Sequence, residues 1–168
     1  MTVLPPQLGG AGLFGWRLDQ AKYAATWDSG EGSFRQGGRW NRRGTRAVYT
    51  SIDAATAILE VAVHKTFQTL DTVPHVLTRF EVKDPSAVHI VKKSDIPNRN
   101  WLIPGTPSGG QQQFGEDLMA KHLFVLIPST VSLNSWNLIF DAVRARGHYA
   151  LVNQEDFGLD GRLSPPTP

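Results

Sequence analysis

Cysteine is absent from the 168 residues. That one absence excludes disulfides, thiolate nucleophiles, zinc ribbons and iron–sulfur clusters together. It suits a reducing compartment, and a cytoplasmic protein is expected. Charged residues are scarce, at 19% of the chain against about 25% on average. Hydrophobic residues nevertheless make up 40%, so gross disorder is not expected. Seventeen Lys and Arg against fifteen Asp and Glu leave a net charge of only +2, which gives no support to a nucleic-acid binder. No apolar run approaches the roughly 18 residues of a membrane span. The opening Met1-Thr-Val-Leu-Pro-Pro lacks the basic segment and apolar core of a signal peptide. Neither membrane insertion nor secretion is therefore expected, and no internal repeat is visible.

What is present fits one domain, long enough to bury roughly 70% of the surface its unfolded chain exposes without a covalent or metal staple. Residues 1–12 are rich in Pro and Gly and read as a loose arm. Residues 164–168, Ser-Pro-Pro-Thr-Pro, read as an extended or disordered tail, which leaves a folded unit over 13–163. Short strands are predicted at Phe14–Leu18, Arg46–Thr50 and Val88–Val91, with buried strands at Leu123–Ile127 and Trp136–Phe140. Val76–Val82 alternates as a half-buried strand does. Ile52–Phe67 follows the helical period, with Ile52, Ala55, Leu59, Ala62 and Val63 on one face, Thr50 or Ser51 as its cap and Asp53 in its first turn. Gln111–Lys121 is a second, shorter helix. Residues 26–46 carry five Gly and Arg35, Arg39, Arg42 and Arg43, and read as one long ordered loop. Helices do not alternate regularly with strands, so the expected class is α+β with a mixed sheet.

Three constellations carry chemistry. In Gly37-Gly38-Arg39-Trp40-Asn41 the glycines let backbone approach a ligand and the Arg can fork onto phosphate or carboxylate. Asn41 and Trp40 add an amide and a stacking surface, Trp being one of five in the chain. The same string also fits a tight turn with a solvated Arg and a core Trp. Neither G-x-G-x-x-G nor a Walker lysine is found. Tyr49 ends a strand, and Glu60 lies mid-helix at the border of the apolar face, as a surface group or as a partly buried acid aimed into a cleft. His64 is one turn on, but the five His (64, 75, 89, 122, 148) show no metal spacing, so no metal is expected. Ser129, after the apolar strand, is placed to face a ligand or to serve as a turn or cap. No acyl-transfer triad assembles around it.

Taken together, Glu31-Gly-Ser, Gly37-Gly-Arg-Trp-Asn41, Tyr49, Glu60 with His64, Pro128-Ser129, Asn137-Leu-Ile139 and the closing Leu159–Leu163 resemble the RES-domain family of bacterial toxins, from about Trp16 to Arg162. The family is named for an Arg, a Glu and a Ser. The resemblance implies a fold like that of ADP-ribosyltransferases. It implies an enzyme that consumes NAD as substrate, by hydrolysis or phosphorolysis of the nicotinamide–ribose bond, with protein ADP-ribosylation as the alternative. It implies no separate cofactor, inorganic phosphate as a possible second substrate, and an Xre-type helix-turn-helix antitoxin as partner. Carried over, Arg39, Tyr49 and Glu60 form the catalytic core, and Arg17, Gly37, Gly38, Trp40, Asn41 and Ser129 the substrate-binding set. After Ile139 the family continues with Asn-Pro and then His-Pro, whereas here the chain reads Phe140-Asp-Ala-Val-Arg-Ala-Arg-Gly-His148. An RNA-directed toxin using the Arg/Trp loop is the competing reading.

Overall fold

The computed structural model describes residues 12–163. The expected arm at 1–12, save its last residue, and the tail at 164–168 therefore lie outside the described residues. Seven strands form one sheet: β1 (Leu13–Gln20), β2 (Ala47–Ser51), β3 (His75–Val82), β4 (Val88–Ile90), β5 (Phe124–Pro128), β6 (Trp136–Asp141) and β7 (Tyr149–Phe157), in the order β4-β5-β6-β2-β1-β3-β7. Only β4 and β5 pair in parallel. They are linked through α3 (Gly109–Lys121), as a parallel pair requires a crossover. The other two helices are α1 (Glu31–Gln36) and α2 (Ala54–Thr72). This is the mixed-sheet α+β domain that the sequence predicts.

Both faces of the central strands are covered. Val48, Phe124, Leu126, Leu138 and Phe140 turn to one face with Trp27 and Phe80. Val125, Ile127 and Ile139 turn to the other, against Trp40, Trp101 and Met119 of α3. That two-sided burial explains why β5 reads as an unbroken apolar run rather than an alternating one. A third cluster joins Leu18 of β1 and Leu77 of β3 to Ala62 and Leu70 of α2.

The sheet opens between β1 and β2. They share a single register pair, Trp16 opposite Ser51, whereas β1 runs its whole length beside β3. Where the ladder stops, Arg17 Nη1 donates to the Tyr49 carbonyl at 2.8 Å. A side chain thus satisfies a strand carbonyl that a neighbouring backbone would otherwise serve.

Several local expectations are corrected. Residues 26–46 are not one loop: Glu31–Gln36 is helical, bounded by Gly30 (φ 62°) and Gly37 (φ 75°), left-handed positions that glycine adopts without a Cβ penalty. The second helix is capped by Asp53, whose Oδ1 accepts from the Thr56 amide at 2.7 Å; Thr50 and Ser51 belong to β2. That helix continues past Phe67 to Thr72, with a break at Thr66 (φ 67°, ψ 155°). Its buried residues are Thr56, Ala57, Ala62 and Leu70, while Leu59 and Val63, expected in the core, are 38% and 58% exposed. Strand β7 is not foreseen at all; it is an edge strand, solvated along nearly all its length, so burial leaves no alternation to read.

Candidate active site

A cleft of about 510 Å³ lies where β1 and β2 part, bordered by both strands, α1, α2 and the Gly37–Trp40 segment. That volume is ordinary for a small-molecule site.

One wall is the glycine loop, whose backbone is held by the side chains of Tyr49, Asn41 and Gln112. The Tyr49 hydroxyl accepts from the Trp40 amide at 2.9 Å and donates to Asn41 Oδ1 at 2.7 Å. Asn41 Nδ2 in turn reaches the carbonyls of Ser33, Arg42 and Thr45. From α3, Gln112 Nε2 donates to the carbonyls of Gly38 and Asn41 at 2.9 and 3.1 Å. A Cβ on Gly38 would stand 2.7 Å from the Tyr49 hydroxyl and 2.9 Å from Asn41 Oδ1, so the clamp closes only on glycine. Burial pushes the Tyr49 phenol above its ordinary range, which keeps it the neutral donor this clamp needs.

The arginines of this region divide sharply. Arg35 and Arg46 both pair with Glu31. Arg42 pairs with Glu116 at 2.7 Å. Burial works to raise the Glu116 carboxyl, but hydrogen bonds from Arg42 and Thr45 outweigh it and hold it below the usual carboxylate range. Arg39 instead lines the cleft, with Nη1 donating to the Trp101 carbonyl at 2.8 Å. Arg17 lines it too, braced by Asp19 at 2.9 Å and by the Tyr49 carbonyl.

The acid side is assembled from four elements. Glu60, on α2, lines the cleft. Its Oε1 accepts from Ser129 Oγ at 2.8 Å and from Asn137 Nδ2 at 2.7 Å. Ser129 follows β5, Asn137 lies in β6, and Ser51 of β2 donates to Asn137 Oδ1 at 3.0 Å.

Of the residues singled out in the sequence, Arg17, Gly37, Gly38, Arg39, Trp40, Tyr49, Glu60 and His64 border this cleft. Asn41 and Ser129 do not: both are fully buried, Asn41 inside the loop and Ser129 behind Glu60. The Trp40 ring is also a core group, 2% exposed and packed on Trp101 and Phe114, rather than an open stacking surface. Sequence reasoning missed Trp16, Asp19, Ser51 and Asn137 as cleft residues. Asn137 opens one of the motifs that carry the family resemblance, and is a lone amide in the apolar strand Trp136–Phe140, but no site role was assigned to it. Segment 140–148, where the family pattern is lost, contributes nothing to the cleft lining. Among the described residues no cluster of three or more His, Cys, Asp or Glu is placed to hold a metal, and no helix is long and apolar enough to cross a membrane.

Comparison with known proteins gives a consistent picture. The RES domain family model matches residues 15–160. The chain is similar to two curated proteins, each named Toxin Res. One, from Photorhabdus laumondii, is 28% identical over 152 residues, which span 88% of this chain and 95% of the relative. The other, from Yersinia enterocolitica, is 30% identical over 152 residues, 88% of this chain and 97% of the relative. Among solved structures, the chain is similar to one in the crystal structure of the M. tuberculosis MbcT–MbcA toxin–antitoxin complex. The TM-score is 0.62 at 23% identity, over 88% of this chain and 85% of that one, a likeness of fold.

Proposed function

This chain belongs to the RES-domain family, and from that membership and the cleft together we propose that it is the cytoplasmic toxin of a bacterial toxin–antitoxin pair, acting by cleavage of the nicotinamide–ribose bond of NAD. The observation that carries this reading is Glu60: a carboxylate bordering the cleft, anchored through one oxygen by two neutral donors, with Arg17 and Arg39 bordering the same cleft.

The chemistry asks for little else. When the C1′–N1 bond breaks, its electron pair goes to the pyridinium nitrogen and nicotinamide leaves neutral, so no general acid is needed. Positive charge appears on the ribose, as in other glycosidic cleavage. A fixed carboxylate beside that centre lowers the barrier, because it is already oriented when the charge develops. Glu60 takes this role and accepts a ribose hydroxyl. Arg39 and Arg17 hold the pyrophosphate. Tyr49 acts through the loop it clamps, and Ser129 through Glu60. Water then adds to C1′ and releases a proton, giving ADP-ribose, or inorganic phosphate adds and gives the ADP-ribose 1″-phosphate.

The alternative of an RNA-directed toxin loses its main support. Of Arg35, Arg39, Trp40, Arg42 and Arg43, which would form the RNA-binding loop, Arg35 and Arg42 are paired with Glu31 and Glu116 and the Trp40 ring is in the core, which leaves only Arg39 and Arg43 for a phosphate backbone. Protein ADP-ribosylation would use the same first step and differ only in the acceptor. A protein that drains NAD must be restrained in its own cell, and the partner we propose is an Xre-type antitoxin that covers this cleft.

The test is cellular. Expression of the chain alone should arrest growth and lower NAD, co-expression with the antitoxin encoded beside it should restore both, and Glu60→Gln should be harmless alone. Growth arrest by Glu60→Gln at equal abundance, with NAD unchanged, would contradict the reading.

A further inference from the structure

We propose that Asn137 is a positioning residue for Glu60, and that Ser51 anchors the far end of its amide; this rests on the role given to Glu60 above. Ser51 and Asn137 are directly opposed in the β2–β6 register, so their side chains leave the same face of the sheet. An amide has one accepting end and one donating end. With Ser51 Oγ donating to Asn137 Oδ1 at 3.0 Å, Nδ2 is turned toward Glu60 Oε1, 2.7 Å away. The flipped amide would set its oxygen against the carboxylate, two acceptors face to face. Ser51 is only 2% exposed, so water does not compete for that hydroxyl.

Ser129 points the same way for a different reason. Its Oγ accepts from the amides of Val131 and Ser132 at 3.2 and 3.0 Å, which leaves its single proton for Glu60 Oε1. Two donors from two elements therefore meet on one carboxylate oxygen. Among the described residues no protein donor is placed on the other, Oε2. The glutamate side chain has three rotatable bonds, and one donor leaves the carboxylate plane free to turn; a second donor from a different direction fixes it. Asn137 is thus what makes Oε2 a single, oriented acceptor for the substrate.

A group that acts by orienting a catalytic carboxylate lowers the rate more than it weakens binding. Misplacement by about 1 Å is enough for a loss of roughly 10²-fold. The experiment is steady-state NAD consumption, with melting curves, for wild type, Asn137→Ala and Ser51→Ala. Asn137→Ala should lower kcat about 10²-fold with KM within about twofold. Ser51→Ala, which only releases the amide, should lower kcat less, and also at constant KM. A purely structural Asn137 would instead lose melting temperature in Asn137→Ala while the folded fraction kept its kcat. A rise in KM matching the fall in kcat would make Asn137 a direct substrate contact and overturn the proposal. A crystal structure of Asn137→Ala with the Glu60 carboxylate unmoved would overturn it without any activity measurement. Wild-type protein that leaves NAD intact defeats the functional reading; active wild type with fully active Asn137→Ala defeats only this inference.

Discussion

The glycine loop and the Glu60 cluster border one cleft, yet they are held by different kinds of contact. In the loop, the Tyr49 hydroxyl, the Asn41 amide and Gln112 bond mostly to backbone, so shape is fixed by where the main chain runs. Around Glu60 the bonds run from side chain to side chain, from Ser51 to Asn137 to Glu60 and from Ser129 to Glu60. A change in the first region alters the form of the cleft. A change in the second leaves the form and alters what the carboxylate does.

The largest expected effect lies in the second region. Glu60→Gln keeps an oxygen for Ser129 and Asn137 and removes only the charge. NAD consumption should fall by roughly 10²–10³-fold, the usual size for losing one such group, with the melting temperature little changed. An equally large loss of stability would erase the distinction between the two regions.

Gly38→Ala probes the first region. The new methyl would meet the Tyr49 hydroxyl at 2.7 Å, and the loop must shift or the clamp must open. Overpacking of this kind costs about 1–3 kcal/mol, so thermal melting should show a drop of several degrees together with weaker NAD binding. A wild-type melting curve would mean that Tyr49 is not the loop's fastener.

How much of this was legible depends on how each region is written in the chain. Gly37–Asn41 is contiguous, and its residue types announce a close-packed loop. Their directions are not announced: Asn41 and Trp40 look like ligand groups, but one is consumed by three carbonyls and the other by the core. Glu60 was visible only as a carboxylate at the edge of an apolar face. Its partners come from the end of β5 and from β6, and Asn137 in turn meets Ser51 of β2 across 86 positions, a meeting decided by sheet register alone. The same limit explains α2, where a wheel started at Ile52, outside the helix, placed Leu59 and Val63 inward. Strand β5 was legible because burial on both faces leaves a continuous apolar run.

Arg39→Ala sharpens the comparison from the binding side. In the proposed role, Arg39 would hold the pyrophosphate through charge-assisted hydrogen bonds worth about 1.5–3 kcal/mol, so KM should rise about tenfold to hundredfold while kcat changes little. A kcat loss as deep as that of Glu60→Gln would place Arg39 with the reacting atoms instead.

The smallest effect is on stability at high pH. The Tyr49 and Tyr149 phenols are both raised by burial above the ordinary value of 10.0. The folded state therefore holds their protons where the unfolded chain releases them. Their contribution is full below pH 10 and declines as pH rises beyond it. Melting temperature measured from pH 8 to 11 should fall above about pH 10, and Tyr49→Phe should make that fall shallower. An unchanged slope in Tyr49→Phe would mean that the clamp does not depend on the phenol's proton.

The most direct measurement is chemical. Purified protein is incubated with NAD, with and without inorganic phosphate, and the products are separated and identified. Free nicotinamide together with ADP-ribose or its 1″-phosphate, formed by the wild type and not by Glu60→Gln, is the result expected of a carboxylate that stabilises a ribosyl cation. Intact NAD after incubation with folded protein that still arrests growth would contradict it.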